Sequence, residues 1–395
     1  MELWSQHSTD ARIAAEDVVR ASGRRRVALA PMLPIITGSA TASFSLLPAP
    51  PGSEATAALF GAAPYQTVGL IAQLSLIDLR AWNGLAMAFD VEKVTKLSVS
   101  ETRRLLLVNL AQHLMAAVAA ERLLELAKAS VDDANARLSL AERAYAGGAG
   151  TALDVARLKQ DSALAKGQVV TAQEAVRQAR EDLGVALGLD EPVTVAPGFQ
   201  LNGIVTQVPP LCRAVGGIEE RPDVKAALKQ IDVAHRAVLD TQAQYFPTLG
   251  VRMNASGFFL GGDAFPIWNL QAVLTVPIWD GGARYGAYRD AHAQQQQAEL
   301  RHEAKLRDAK VDLTRARRAI EVAEESRAQS AEALAQAEQT ETLTRKAWDS
   351  GAGNSLEIVT AASAVRNQRL ALALKDYDVL RARVVALFAL SECSP

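Results

Sequence analysis

Aromatic residues are scarce in this chain, at 5% of 395 residues. That excludes a compact core organised on Phe, Tyr and Trp, and the abundant alanine points instead to long helices in close contact. An excess of charge is missing too. The formal net charge is −2, so nothing favours nucleic acid as a partner. Cysteine occurs twice, at Cys212 and Cys393; the two lie far apart and form no metal-ligand spacing, and a disulfide between them stays an open alternative. Catalytic motifs are absent. There is no GxGxxG, Walker loop or GxSxG, and the histidines His7, His113, His235, His292 and His302 are scattered. His302-Glu303 is followed by Leu306 where a zinc HExxH would need a second histidine, and His113 falls on a helix core position. Neither an enzyme nor a cofactor is expected.

A long apolar helical run is also lacking. Arg24–Arg26 precede the uncharged stretch 27–47, which has the outline of a signal peptide or a membrane span. Pro31 and Pro34 interrupt it, and residues 37–45 alternate small polar with apolar side chains, so a β-strand is the better reading.

What the chain does contain is one stretch written twice. Residues 145–155 read YAGGAGTALDV and residues 348–358 read WDSGAGNSLEI, 203 positions later. Each lies between long alanine-rich helical runs. The glycines predict a tight reversal, and Thr151 or Asn354 predicts a cap on the returning helix, with Asp154 or Glu357 three residues on. The flanking helices share a register. Leu110, Ala117, Leu124, Val131, Leu138 and Tyr145 recur every seven residues, with Ala120, Ala127, Ala134 and Ala141 beside them. Adding 203 lands on Leu313, Ile320, Leu334 and Trp348, with Arg327 and Glu341 breaking the series. The pattern predicts two structural repeats, 1–203 and 204–395.

In order, each repeat reads helix, strand, strand, very long helix, tip, helix. A short helix is expected over 9–26, ending near Gly23, and strands over 35–46, 65–77, 248–260 and 267–278. Helices are expected over 82–145, 151–187, 222–244, 283–348 and 355–390, the longest about 95–100 Å at 1.5 Å per residue. Four strands cannot close a barrel, since about eight are needed, and their open edges invite pairing with further copies. Three chains would supply twelve strands, each long enough for a tilted membrane crossing.

These residues resemble the TolC-like outer-membrane efflux and secretion channels. The resemblance is carried by Leu33-Pro34 and Tyr245-Phe246-Pro247 entering strands, Arg221-Pro222-Asp223 opening a helix, Val276-Pro277-Ile278-Trp279-Asp280-Gly281-Gly282 leaving a strand, and the two glycine tips. It implies a mainly α fold with a membrane β portion: a homotrimer whose 12-stranded β-barrel, set in outer-membrane lipid, joins a periplasmic α-helical tunnel. It also implies a periplasmic adaptor and an inner-membrane transporter as partners, with the trimer as passive exit duct. Members carry a signal peptide and a further N-terminal segment, which the resemblance places upstream of Met1. The first repeat departs from the pattern. It lacks a proline and Gly-Gly over 74–78, and its loop, 48–64, is longer than 261–266.

Within such a channel the resemblance makes Glu357 a pore-gate acid. Thr360 stands where some members have a second acid, and Asp154 is the first-repeat equivalent, expected to cap or pair locally. Helix capping is the rival role for Glu357. Gly147, Gly148, Gly150 and Thr151 at one tip, with Ser350, Gly351, Gly353 and Asn354 at the other, are the adaptor-docking candidates. The rival for the whole chain is a coiled-coil structural or interaction protein without a pore, which would have no need of four strands.

Overall fold

The computed structural model describes residues 7–43, 65–196, 212–260 and 263–393. Helix α1 spans Thr9–Leu29 and runs on through Gly23 and the arginines rather than stopping at the glycine. A 3-10 turn, Ala30–Met32, follows where Pro31 ends the helix. Strands β1 (Ile35–Ser43) and β2 (Tyr65–Ile77) come next. Then come the long helix α2 (Leu79–Ala146), α3 (Ala152–Leu187) and the short strand β3 (Arg213–Ala214). The chain continues with α4 (Pro222–Ala243), β4 (Thr248–Leu260), β5 (Asp263–Thr275), α5 (Ala283–Asp349), α6 (Ser355–Ala389) and β6 (Ser391–Glu392). The expected extension of the first strand past Ser43, and the Gly261-Gly262 turn, lie outside the described residues.

β5 begins earlier than the sequence pattern predicts and stops at Thr275, before Pro277. Pro266, expected in the loop, pairs in register with Gly257. Within one chain a proline is tolerated there because β5 is the sheet's edge strand, with one side free of ladder bonds, and Pro266 lies near its hairpin end.

The chain divides into two compact units, and each draws on both sequence halves. The first comprises residues 1–16, 98–224 and 306–395. Its core gathers Leu107, Leu110, Met115, Leu183, Val384 and Phe388 around Cys212 and Cys393, which form a disulfide. The C-terminal strand β6 pairs antiparallel with β3, Ser100 Oγ donates to the Cys393 carbonyl at 2.7 Å, and Arg104 Nη1 donates to the Phe388 carbonyl at 3.0 Å. Many of the small heptad residues are buried: Ala117, Ala127, Ala134, Ala141, Ala309 and Ala316 are each under one-tenth exposed. Alanine at these positions lets helix backbones approach closely.

The second unit, residues 17–97 and 225–305, holds the sheet, in strand order β1-β2-β4-β5 and antiparallel throughout. Alternation along paired strands gives it two faces. Registered neighbours Ile36–Ala72–Met253–Leu270 and Ala40–Val68–Gly257 lie on an apolar face, with Leu74, Val251 and Trp268. Ser39–Gly69–Ser256 and Gln73–Arg252–Gln271 lie on the other, with Thr37, Ser75, Asn254 and Asn269, interspersed by Ile71 and Val273. Leu270 and Trp268 are 73% and 71% exposed. Among the described residues nothing pairs with the outer edges of β1 and β5, and Leu270 and Trp268 stay uncovered.

Candidate functional site

The two glycine tips fall in the first unit and are built alike. After α2, the Gly147 amide donates to the Arg143 carbonyl (3.0 Å), Gly148 to Tyr145 (3.0 Å), and Ala149 and Gly150 both to Ala144 (2.9 and 3.1 Å). After α5, Ser350 donates to Lys346 (3.1 Å), Gly351 to Trp348 (2.9 Å), and Ala352 and Gly353 both to Ala347 (2.9 and 3.0 Å). Gly148 and Gly351 have φ of +76° and +77°, a left-handed conformation that disfavours a side chain.

The returning helices are capped differently. Thr151 Oγ1 accepts from the Asp154 amide (3.2 Å), and the Asp154 carboxylate accepts from the Thr151 amide (3.0 Å) and hydroxyl (2.6 Å), a complete capping box. At the second tip Asn354 Oδ1 accepts from the Glu357 amide (3.0 Å), and the Asn354 side-chain NH2 donates to Glu357 Oε1 (2.9 Å). Glu357 and Thr360 are both exposed, and the Thr360 hydroxyl donates to the Leu356 carbonyl.

The tips are also tied to each other. Ser355, fully buried at the start of α6, receives Arg157 Nη1 from α3 at 3.2 Å and stands near enough to the Asp154 carboxylate to stabilise its charge. The Ser355 hydroxyl, then Thr151, hold the Asp154 carboxyl below the usual range, with Arg157 adding to this. Asp154 therefore belongs to the joint between tips, whereas among the described residues Glu357 is fastened only within its own turn.

A buried polar bolt that sequence reasoning missed lies along the same helices. Asp161 of α3 is 1% exposed and accepts from Arg366 Nη1 of α6 at 3.0 Å. Arg137 of α2 places Nη2 3.5 Å from Asp161 and Nη1 3.5 Å from Glu341 of α5. Four helices thus meet on one charge cluster, beside a cavity of about 370 Å³ lined by Arg137, Leu140, Glu341, Arg345 and Trp348 among others. Glu341 was the signal available in the sequence: a carboxylate breaking an apolar ladder needs a partner.

The sequence motifs also have structural work to do. Arg284 of α5 donates to Asp280 Oδ2 at 2.8 Å and to the carbonyls of Gln244 and Pro277, and its guanidinium sits 4.7 Å from the Tyr245 ring centroid. The entry to β4 and the exit from β5 are locked together through this one side chain. Arg221 forks onto both oxygens of Asp223 at 3.0 and 2.9 Å, itself only 3% exposed. His113 is half-buried within α2, and among the described residues no group of His, Cys, Asp and Glu could hold a metal.

This architecture can be set beside known proteins. A family model described as outer membrane efflux protein matches residues 3–189 and 217–390, most of the chain. The chain belongs to that family. As an outer membrane efflux protein it is similar to the pyoverdine export outer membrane protein OpmQ of Pseudomonas putida, 26% identical over 308 residues, covering 75% of this chain and 64% of OpmQ. It is similar also to the alkaline protease secretion protein AprF of Pseudomonas aeruginosa, 22% identical over 289 residues, covering 70% of this chain and 59% of AprF. The chain thus spans less than two thirds of the length of these curated relatives. Among solved structures, CusC superposes with a TM-score of 0.82 at 19% identity, covering 98% of this chain and 90% of CusC. The outer membrane protein VceC of Vibrio cholerae gives 0.79 at 18%, covering 100% and 95%. The efflux protein therefore has the TolC-like fold, mainly helical with a four-stranded sheet.

Proposed function

We propose that three copies of this chain close a twelve-stranded barrel in the outer membrane and form the exit duct of a tripartite efflux pump or type I secretion system. The observation that carries this reading is the sheet: one face apolar and exposed, the other polar, both edges open. An apolar patch of this kind needs lipid or a partner to cover it, and open edges need strands. Chain closure of β5 on a neighbour's β1 supplies the strands, and outer-membrane lipid covers the apolar face. The long helices form the periplasmic tunnel, a periplasmic adaptor docks on the tips at Gly147–Thr151 and Ser350–Asn354, and an inner-membrane transporter supplies the energy. The two halves are repeats of one unit, and the like hydrogen bonding of their tips supports this.

At the tunnel mouth Glu357 is the gate acid, with Thr360 one turn further on as an uncharged companion. Asp154 holds the joint instead, since its carboxylate is already engaged by Ser355 and Thr151. A coiled-coil protein without a pore would leave the sheet unexplained. The test is fractionation of the full-length gene product, mobility on unheated gels, and planar-bilayer conductance. A heat-modifiable trimer in the outer-membrane fraction that conducts ions is expected, and a soluble monomer would refute the channel.

A further inference from the structure

The four strands contain two charged residues in 48 positions of sequence: Arg252 in β4 and Asp263 at the first position of β5. Arg252 is exposed on the polar face and has neither an ion pair nor a hydrogen bond among the described residues. Its registered neighbours are Gln73 on β2 and Gln271 on β5, so one row across three strands reads Gln–Arg–Gln. Asp263 pairs with Leu260 at the far end of the β4–β5 hairpin. Eight residues separate Leu260 from Arg252, about 27 Å at 3.4 Å per residue, several Debye lengths at physiological salt.

We propose that Arg252 makes the barrel lumen an anion-attracting ring and so sets a preference for organic anions bearing carboxylate or phosphate groups. The proposal rests on the trimeric barrel reading above. In that trimer the polar face lines the lumen, and three copies of Arg252 share one level. Twelve strands about 4.8 Å apart and tilted by about 40° enclose a backbone radius of roughly 12 Å, so an extended arginine leaves about 5 Å between guanidinium and axis. That gap is shorter than the Debye length of about 8 Å at physiological salt, so the three charges act across the whole cross-section. A guanidinium fork binds carboxylate or phosphate through two parallel hydrogen bonds, and Gln73 and Gln271 offer further amide donors beside it. No described carboxylate on the sheet competes for it.

The experiment is block of potassium current through the full-length trimer in planar bilayers, with citrate added to the barrel side and, separately, to the tunnel side. The wild type should be blocked from the barrel side, and Arg252→Gln should need at least about tenfold more citrate, since the ring's three charges act at short range on a trivalent anion. Arg252→Lys should keep most of the block, which separates charge from altered folding. Undiminished block in Arg252→Gln channels of normal conductance overturns the proposal and leaves the duct intact. A wild-type trimer that does not conduct overturns the duct reading, and this inference with it.

Discussion

Asp154 and Glu357 occupy matching positions in the two tips, yet their surroundings separate their roles. Asp154 accepts from Thr151, and its pKa is depressed by the nearby Ser355 hydroxyl and by Thr151. A depressed carboxylate contributes stability that is fully present above its unfolded value, about 3.9, and is lost as pH falls through the folded value. Acidification below about pH 4 should therefore loosen the first tip, seen as smaller amide protection factors at residues 152–155 relative to the intrinsic exchange rate at each pH. Asp154→Asn should speed that exchange already at neutral pH, by the equivalent of about 1 kcal/mol, typical for a lost N-terminal cap. Unchanged exchange in the variant would mean that Ser355 and Arg157 hold the joint without it. Glu357 is expected to act on passing solutes instead. Its exposed carboxylate is available to solutes, so Glu357→Gln should lower cation selectivity and weaken block by divalent cations added from the tunnel side, with Asp154→Asn having the smaller effect on both. Equal effects of the two substitutions would assign Glu357 to capping.

At the scale of elements, the chain's end is fastened by a covalent bond and a charge cluster fastens the long helices. The Cys212–Cys393 disulfide closes a loop of 181 residues through the core that holds Phe388 and Met115. Cys393→Ser should cost about 2–5 kcal/mol, the usual range for a native disulfide, read as a lower urea midpoint; the wild type under reductant should fall to the same value. Asp161→Ala should cost about 3–5 kcal/mol, because Arg366 would keep a buried charge with its partner gone. These two features mark the limit of what the sequence made legible. Strand β2 and the cap residues Thr151 and Asn354 stand where alternation and turn chemistry point, since both are local signals. The disulfide joins residues 181 apart, and Asp161 meets Arg366 across 205, so no window along the chain contains either pair. The early start of β5 had a local reason to be missed: Pro266 argues against a strand until the topology puts it on an edge.

For the whole molecule, the decisive question is which solvent each face of the sheet meets. Leu270 of β5 faces the apolar side with Met253, while its chain neighbour Asn269 pairs with Asn254 on the polar side. Both stand near the middle of a 13-residue strand, so they share depth, neighbours in sequence and edge position. If lipid covers the apolar face, Leu270→Lys buries a charge near the bilayer midplane and should cost about 2–4 kcal/mol, whereas Asn269→Lys projects into water and should cost little. The measurement is refolding of the trimer into phospholipid vesicles across a urea series, with the unheated gel band as readout. A coiled-coil protein with a water-exposed sheet predicts equal and small effects for both, because a lysine on either face would be solvated. A large asymmetry therefore requires an apolar solvent on one side only, as a membrane barrel supplies and a soluble sheet open on both faces does not.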